Sequence, residues 1–443
     1  MKKLLIISYY FPPAGGGGVQ RITKFVKYLR QYGWQSEIIT ADENSYIEND
    51  FTLIDDLYND IVIHRIPSLL SKRFSSQIRS RYNVPWPWDS PRSRSRDLLL
   101  ILVRNFRNLL LIPDSQIFWI LNILPKLSNI VSRFKPQAVF VSAPPFSGFL
   151  IGIIIKIKYR IPLIIDYRDP WTQLFESYRN YEYPLRKKLE IWLEKMSIKK
   201  ADAIVVTTKQ IKMYVQKFKP NPMILHVLTN GYDPQDYMGV WPFKFPKFSI
   251  VYTGKVTPYE YSAVAFLKGL SIVFDENPGL KDYVEVHFFG TFNDPASEYL
   301  IDKNQLGDIV SIHGYIEHNE LLKFQLGADV LLLLLNEGYT DKYILLGKLF
   351  EYIFTCKPIL SIIPRTSPMI DILKDVGQSR IISPENTIKI SQTIIDLKKN
   401  SAVKKTNKRS IEQYDRQNIT EKLAAIIDKI TDKGFMNYAS NKT

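Results

Sequence analysis

Short apolar runs alternate with longer amphipathic stretches along most of this chain, and that alternation constrains its fold more than any other feature. The runs have the length of buried strands, and the stretches have the length and the 3.6-residue period of helices. Residues 3–8 predict a strand, and residues 19–31 predict a helix because Val19, Ile22 and Phe25 share one face. Repetition of this pair predicts an α/β fold with parallel sheets.

The predicted strands fall into two series, separated by a turn cluster at residues 229–234. They are predicted at residues 3–8, 37–40, 61–66, 138–142, 163–167, 203–207 and 223–228, and then at 248–253, 284–289, 310–313, 328–335 and 358–362. Helices are predicted at residues 19–31, 92–133 with an interruption at Pro113, 261–274, 317–326, 345–355, 367–375 and 408–431.

Two Rossmann-like domains with a cleft between them are therefore expected. The first covers residues 1–230, a linker covers 231–247, the second domain covers 248–405, and a terminal helix and tail cover 406–443. In such sheets, ligands bind beyond the carboxyl ends of the strands. The terminal helix is expected to return to the first domain.

The net charge of +15 is concentrated in the first part of the chain. Residues 1–230 carry 34 basic and 18 acidic side chains, whereas residues 231–443 carry 25 and 26. Within residues 65–107, Arg92, Arg94 and Arg96 follow Trp86 and Trp88. Basic side chains beside tryptophan suit contact with an anionic membrane surface. The alternative is a solvated charged loop, and no nucleic-acid recognition module is found.

Cysteine and histidine usage limits metal chemistry and disulfides. The single cysteine, Cys356, excludes a disulfide framework and a multi-cysteine metal site, and is expected to pack as a small apolar residue. Five histidines make a His-rich metal centre improbable. The apolar start of the chain soon meets Pro12 and Pro13 without a convincing cleavage site, and no run of about 20 apolar residues occurs. We expect a cytoplasmic protein that binds the inner face of the plasma membrane peripherally.

A glycine-rich loop with Gly15, Gly16, Gly17 and Gly18 lies between the first predicted strand and helix. Glycine lets the backbone approach a ligand closely, and the helix that follows offers free amides to an anion. The loop matches neither a P-loop nor the dinucleotide-binding fingerprint. It is interpreted as a phosphate-facing loop at Gly16 and Gly17, the alternative being an ordinary flexible connection.

Several motifs, in order along nearly the whole chain, carry a resemblance to a known family. They are Tyr10-Phe11-Pro12-Pro13 with Gln20-Arg21, Pro113-Asp114 with Trp119, Ser142-Ala143-Pro144-Pro145-Phe146-Ser147, Asp166-Tyr167-Arg168-Asp169-Pro170-Trp171, Thr229-Asn230-Gly231-Tyr232-Asp233, Tyr252-Thr253-Gly254-Lys255, and Lys348-Leu349-Phe350-Glu351-Tyr352 with Lys357-Pro358. With them the chain resembles the group 1 family of retaining glycosyltransferases, which have the GT-B fold.

The resemblance implies transfer of a sugar from a nucleotide diphosphate sugar, most often UDP- or GDP-linked, with no required cofactor or metal. It places Lys255, Lys348 and Gly254 at the donor diphosphate. It places Glu351 at the ribose, as the last glutamate of a Glu-x7-Glu motif. Tyr343 stands where the first glutamate of that motif belongs, and Glu337 is the substitute predicted to face the sugar.

The loop after the strand at residues 163–167 departs from many relatives, which carry a histidine there. Arg168 falls near that position and Asp169 follows it. Asp169 is predicted to act as a base toward an acceptor hydroxyl or to orient Arg168; the alternative is a purely structural pair. The predicted acceptor is a cell-surface polysaccharide, a lipopolysaccharide or a lipid-linked glycan.

Two other functions stay open at this point. One is a nucleotide-sugar 2-epimerase of the same fold. The other is a catalytically inactive two-domain binding protein, which the missing glutamate and the missing histidine leave open.

Overall fold

The structure, a computed structural model, describes residues 1–46, 49–68, 110–173, 184–218, 222–257, 261–338, 341–400 and 407–440. It contains two units, one formed by Met1–Thr229 with Ile419–Thr443 and the other by Asn230–Asn418. Arg92, Arg94 and Arg96, and the first part of the helix predicted at 92–133, lie outside the described residues.

The first unit is built on a parallel sheet of seven described strands in the order β3-β2-β1-β4-β5-β6-β7. Its elements in chain order are β1 (Lys2–Ser8), α1 (Gly17–Leu29), β2 (Trp34–Ala41), β3 (Val62–Ile66), α2 (Trp119–Phe134), β4 (Ala138–Ala143), α3 (Ser147–Tyr159), β5 (Leu163–Tyr167), α4 (Pro184–Lys200), β6 (Ala203–Val206), α5 (Lys209–Gln216) and β7 (Leu225–Val227). The strand order changes direction between β1 and β4. The loop after β1 therefore lies where ligands bind in such sheets.

The second unit has a parallel sheet of six described strands in the order β10-β9-β8-β11-β12-β13. Its elements are β8 (Phe248–Thr253), α6 (Tyr261–Glu276), β9 (Val284–Phe289), α7 (Pro295–Lys303), β10 (Val310–Ile312), α8 (His318–Gly327), β11 (Val330–Leu334), α9 (Lys348–Phe354), β12 (Ile359–Ile362), α10 (Met369–Val376), β13 (Ser379–Ile382), α11 (Thr387–Lys399) and α12 (Lys408–Glu412). Here the order changes direction between β8 and β11, which places the loop after β8 at the expected ligand edge.

Short 3-10 helices connect several of these elements, at Arg30–Tyr32, Glu43–Ser45, Phe51–Ile54, Pro222–Ile224, Pro234–Tyr237, Pro278–Tyr283 and Asp341–Tyr343. The last helix, α13 (Arg416–Ser440), begins in the second unit. Its residues Leu423 and Ile427 are buried in the core of the first unit with Leu4 and Phe25. The chain therefore returns to the first unit after completing the second.

The predicted α/β fold with two parallel sheets is confirmed. The prediction missed six elements: α3, α4, α5, α7, β13 and α11. It also predicted one helix at residues 408–431, whereas the structure has two helices there, with residues 413–415 non-helical between them. At that break the Arg416 amide donates to the Tyr232 carbonyl at 2.9 Å, which stops α12 from continuing into α13.

Each helix in the described part of the chain is too short or too polar to cross a bilayer.

Close packing of α6 on α11 gives a test of the fold. A Cβ at Gly269 would lie 2.6 Å from Ile390 Cγ2 and 3.2 Å from the Thr387 carbonyl oxygen. We expect Gly269→Ala to lower the free energy of unfolding by about 1–3 kcal/mol through overpacking, although alanine favours a helix by about 1 kcal/mol. Gly279→Ala is the control, since open space surrounds that position. Denaturant unfolding measures both, and a stabilised Gly269→Ala protein would contradict this packing.

Candidate functional site

The glycine loop presents an open backbone surface after β1. Gly16 has a φ of 108°, a conformation that favours glycine, and no atom lies within 4 Å of where a Cβ would stand on Gly16 or Gly17. Helix α1 begins at Gly17 without a side-chain cap. Because the first amides of a helix have no intrahelical acceptor and carry partial positive charge, this loop is suited to an anion.

The guanidinium of Arg168 lies against this loop. A Cβ at Gly18 would overlap Arg168 Nη1, so glycine is required for the two to approach. Arg168 Nε donates to the Ala143 carbonyl at 3.0 Å, and Nη2 donates to the Pro144 carbonyl at 3.0 Å. The arginine is therefore oriented by the backbone at the end of β4, and its charge is placed beside the glycine loop.

Asp169 lies next to this arginine and is partly buried. Burial raises the pKa of its carboxyl, while the positive charge of Arg168 opposes the rise. Among the described residues, none donates a hydrogen bond to the Asp169 carboxylate. Burial likewise raises the pKa of the neighbouring Tyr10 to about 12, and Arg168 lowers it in part. A carboxylate that receives no hydrogen bond and has a raised pKa can accept a proton from a hydroxyl.

A fully buried ion pair lies beneath this group. Arg21 Nη2 and Asp166 Oδ1 are 2.9 Å apart, and both side chains are 0% exposed. Ser142 Oγ also donates to Asp166 at 2.8 Å. The guanidinium donates further to the Leu228 and Thr229 carbonyls, at 3.0 and 2.7 Å. The motifs contain Arg21 and Asp166, but sequence reasoning assigned a role to neither.

The loop that carries Arg168 and Asp169 is anchored from α4 by Glu194. Its carboxylate accepts hydrogen bonds from the hydroxyls of Tyr167, Thr172 and Tyr214. Tyr167 in turn accepts from the Trp171 amide at 2.8 Å. Burial raises the pKa of Glu194 to about 7, against the lowering effect of these three hydroxyls. The anchor is therefore ionisable near neutral pH.

In the second unit, Lys348 opens α9 and lies over the loop after β8. Its Nζ is 4.0 Å from the centre of the Tyr252 ring, a cation–π contact. Gly254 has a φ of 133°, and a Cβ there would overlap Lys348 Nζ. Tyr252 also donates to the carbonyl of Lys255, whose side chain is exposed. The structure thus brings the predicted Lys348 and Gly254 together at the carboxyl end of β8.

Glu351 lies on α9 and is held by two side chains of α8. Its Oε1 is 3.0 Å from His318 Nε2, and its Oε2 accepts from Gln325 Nε2 at 2.8 Å. Burial alone would raise the pKa of Glu351, but the charge and hydrogen bond of His318, with the bond from Gln325, hold it at about 2. Glu351 is therefore an ionised, oriented acceptor. His318 and Gln325 were missed, although their spacing of seven on a predicted helix places them on one face.

Two other residues named in the sequence analysis, Glu337 and Cys356, are exposed. Glu337 is exposed in the loop after β11, next to Asn336, which accepts from the Ser262 amide at the start of α6. Among the described residues, Glu337 forms no hydrogen bond or ion pair with Glu351. The expectation that Cys356 packs as a small apolar residue is wrong, because it is exposed just after α9 with a φ of 58°.

Comparisons with known proteins identify the family and support the fold. The family model described as Glycosyltransferase Family 4 matches residues 15–236, half of the chain. A comparison with curated protein sequences finds no significant match.

Solved structures of the same fold cover nearly all of the chain. A glycosyltransferase from Rickettsia africae ESF-5 is 13% identical with a TM-score of 0.61, covering 97% of this chain and 98% of its own. Anabaena HepE in complex with UDP is 11% identical with a TM-score of 0.55, covering 99% and 100%. A putative UDP-N-acetylglucosamine 2-epimerase from Listeria monocytogenes is 14% identical with a TM-score of 0.55, covering 98% of each chain.

The Glu194 anchor predicts a pH dependence of stability. The carboxyl has its ordinary pKa of 4.5 in the unfolded chain and a pKa of about 7 in the folded one, so the native state retains a proton that the unfolded state releases. The stabilising contribution is present below the unfolded pKa and is lost as pH rises to 7, about 1.4 kcal/mol per pH unit. Relative to Glu194→Gln, the wild type should therefore lose roughly 3 kcal/mol across this range.

Urea unfolding of wild type and Glu194→Gln at a series of pH values measures this difference. Thr172→Val removes one hydrogen-bond donor to the carboxylate, raises the folded pKa further and should extend the loss of stability to higher pH. Parallel stability curves for the wild type and Glu194→Gln would show that Glu194 does not titrate in this range.

Proposed function

The chain belongs to glycosyltransferase family 4, and on that premise we propose that it transfers a sugar from a nucleotide diphosphate sugar to an acceptor hydroxyl, with retained anomeric configuration. The observation that carries this proposal is that the second unit holds an oriented, ionised Glu351 and the cationic Lys348 on the same helix. The two residues lie three positions apart on one short helix, α9.

The second unit is proposed to bind the donor. A carboxylate has about four acceptor positions, and His318 and Gln325 occupy two of those on Glu351. The remaining positions suit the two hydroxyls of a ribose. Lys348, Gly254 and Lys255 would face the diphosphate, whose negative charge grows as the bond to the sugar breaks. The UDP complex of HepE supports a uridine or related nucleotide.

The first unit is proposed to bind the acceptor. As the glycosidic bond forms, the bond between the anomeric carbon and the diphosphate oxygen breaks, and the hydroxyl proton passes to Asp169. Arg168 and the amides of Gly16 and Gly17 would stabilise the diphosphate. Glu337 would face the sugar. No metal or further cofactor enters this proposal.

The acceptor is proposed to be a glycan or a lipid-linked glycan at an anionic membrane surface, for a polysaccharide or lipopolysaccharide product. The support is the excess of basic residues in residues 1–230. Arg92, Arg94 and Arg96 remain proposed membrane contacts. The protein would then act in the cytoplasm, bound peripherally to the inner face of the plasma membrane.

The likeness to the Listeria epimerase, at 14% identity, concerns the fold alone. Incubation with nucleotide sugar and no acceptor distinguishes the two enzymes, because a 2-epimerase would release an epimerised nucleotide sugar. A protein that binds nucleotide sugar but never consumes it in the presence of extracted lipid acceptors would instead be an inactive binding protein.

Donor binding gives the next prediction. UDP-, GDP- and ADP-sugars are compared by thermal shift, since a ligand of the native state raises the unfolding midpoint. For the nucleotide sugar that binds, Glu351→Ala should raise the Kd by about 10- to 150-fold, because hydrogen bonds to a charged group contribute about 1.5–3 kcal/mol.

Two further variants make this measurement specific. Glu351→Gln keeps the size of the side chain and should weaken binding without unfolding the unit. Glu320→Ala removes an exposed glutamate from α8 and should leave Kd unchanged. Equal affinity of wild type and Glu351→Gln would remove Glu351 from the donor site.

Asp169→Asn tests the proposed base. Loss of a general base typically costs about 10²–10⁴-fold in rate, so kcat should fall by this amount while the KM for the donor changes little. Asp202→Asn is the control, because Asp202 pairs with Lys156 and has no proposed catalytic role. Full activity of Asp169→Asn at every pH would assign it a structural role only.

A further inference from the structure

Helix α4 buries three of its charged residues and exposes three of its large apolar residues. Arg186, Glu190 and Glu194 are buried, although charged side chains usually face solvent. In contrast, Leu185 and Trp192 are each 58% exposed and Leu189 is 38% exposed. This arrangement reverses the usual polarity of a surface helix.

Both acidic residues of α4 are used inside the unit. Glu190 pairs with Arg186 at 2.7 Å, and Glu194 accepts from the hydroxyls of Thr172 and Tyr214. The outer face of α4 therefore carries no acidic side chain. Its exposed charged side chains are all lysines, at Lys188, Lys195, Lys199 and Lys200.

The exposed apolar residues form a continuous stripe. Leu185, Leu189 and Trp192 are separated by four and three positions, which places them on one side of a helix. Lys188 and Lys195 lie along one edge of this stripe. The surface thus combines tryptophan, leucine and lysine side chains on one helix.

We propose that this face of α4, formed by Leu185, Leu189 and Trp192 with Lys188 and Lys195, docks on an anionic phospholipid bilayer. Tryptophan and leucine enter the interface between headgroups and acyl chains, and lysine side chains extend to the anionic headgroups. The positive charge of the lysines complements the negative charge of such a bilayer, which is why we propose a bilayer as the partner. A two-fold contact between copies would place the same cationic face against itself, where like charges repel.

None of the five residues of this surface belongs to the candidate site, and its occupation requires no donor. The surface also includes none of Arg92, Arg94 and Arg96, so variants test the two proposed membrane contacts independently. Loss of lipid binding would leave the transfer proposal intact, and loss of transfer would leave this proposal intact.

Sedimentation of the full chain with vesicles tests the proposal. Wild type should bind vesicles that contain phosphatidylglycerol and should bind pure phosphatidylcholine vesicles weakly, with affinity that falls as salt rises. The double variant Leu189→Ser with Trp192→Ser, and the double variant Lys188→Gln with Lys195→Gln, should each lower the partition coefficient about ten-fold or more.

The matched control is Trp241→Ser, which removes a tryptophan that is 85% exposed in the second unit. It should leave vesicle binding unchanged. Circular dichroism and the thermal shift with nucleotide sugar should be the same for all these variants, because the changed side chains are exposed.

Three results would overturn the proposal. One is undiminished binding by the Leu189 and Trp192 variant, including the case in which only replacement of Arg92, Arg94 and Arg96 abolishes binding. Another is wild type that binds neither vesicle, or both equally. The third is a concentration-dependent dimer that disappears on Trp192→Ser, which would assign the face to a second copy of the chain.

Discussion

The buried ion pair of Arg21 and Asp166 is the interaction on which the first unit's candidate site depends. Two buried charges are tolerated only when hydrogen bonds complete their coordination, and here Ser142 and the carbonyls of Leu228 and Thr229 do so. Removing one partner of such a pair costs about 3–5 kcal/mol. The pair joins α1 to β4, to β5 and to the chain after β7. The glycine loop and the Arg168–Asp169 loop start within a few residues of its two members, so the same contact positions both.

Glu194 and Glu351 show how the hydrogen-bond donors around a buried carboxylate decide whether it is ionised. Burial raises the pKa of each. Three neutral hydroxyls contact Glu194 and its pKa is about 7, whereas His318 adds charge beside Glu351 and its pKa is about 2. A neutral donor stabilises the ion through one bond, and a cation adds a longer-range attraction. The first carboxylate therefore serves as an anchor near its titration point, and the second as a permanently charged acceptor.

The sequence predicted the sheets well because their strands are short apolar runs, a local signal. It missed α3, since residues such as Ile151, Gly152 and Ile155 make that helix apolar on nearly all sides and no 3.6-residue period remains. It missed α4 because apolar residues lie on opposite sides of that helix, with Trp192 outside and Ile198 inside, and this weakens the 3.6-residue pattern. The motifs located Glu351, Lys348 and Gly254, but not His318 or Gln325. The Arg21–Asp166 contact spans 145 positions, and no local pattern contains a contact of that range.

The charge of the first unit takes on a more specific meaning once burial is considered. Pairs such as Arg21–Asp166 and Arg186–Glu190 cancel inside the unit and contribute little to the field at its surface. On α4 both acidic side chains are buried, and the exposed charged side chains are lysines. The fold requires the internal pairs, but it does not require Leu185, Leu189 and Trp192 to face solvent, since exposed apolar side chains lose the free energy of burial. The proposed contact with an anionic bilayer would compensate for this loss and would account for the outer face of α4.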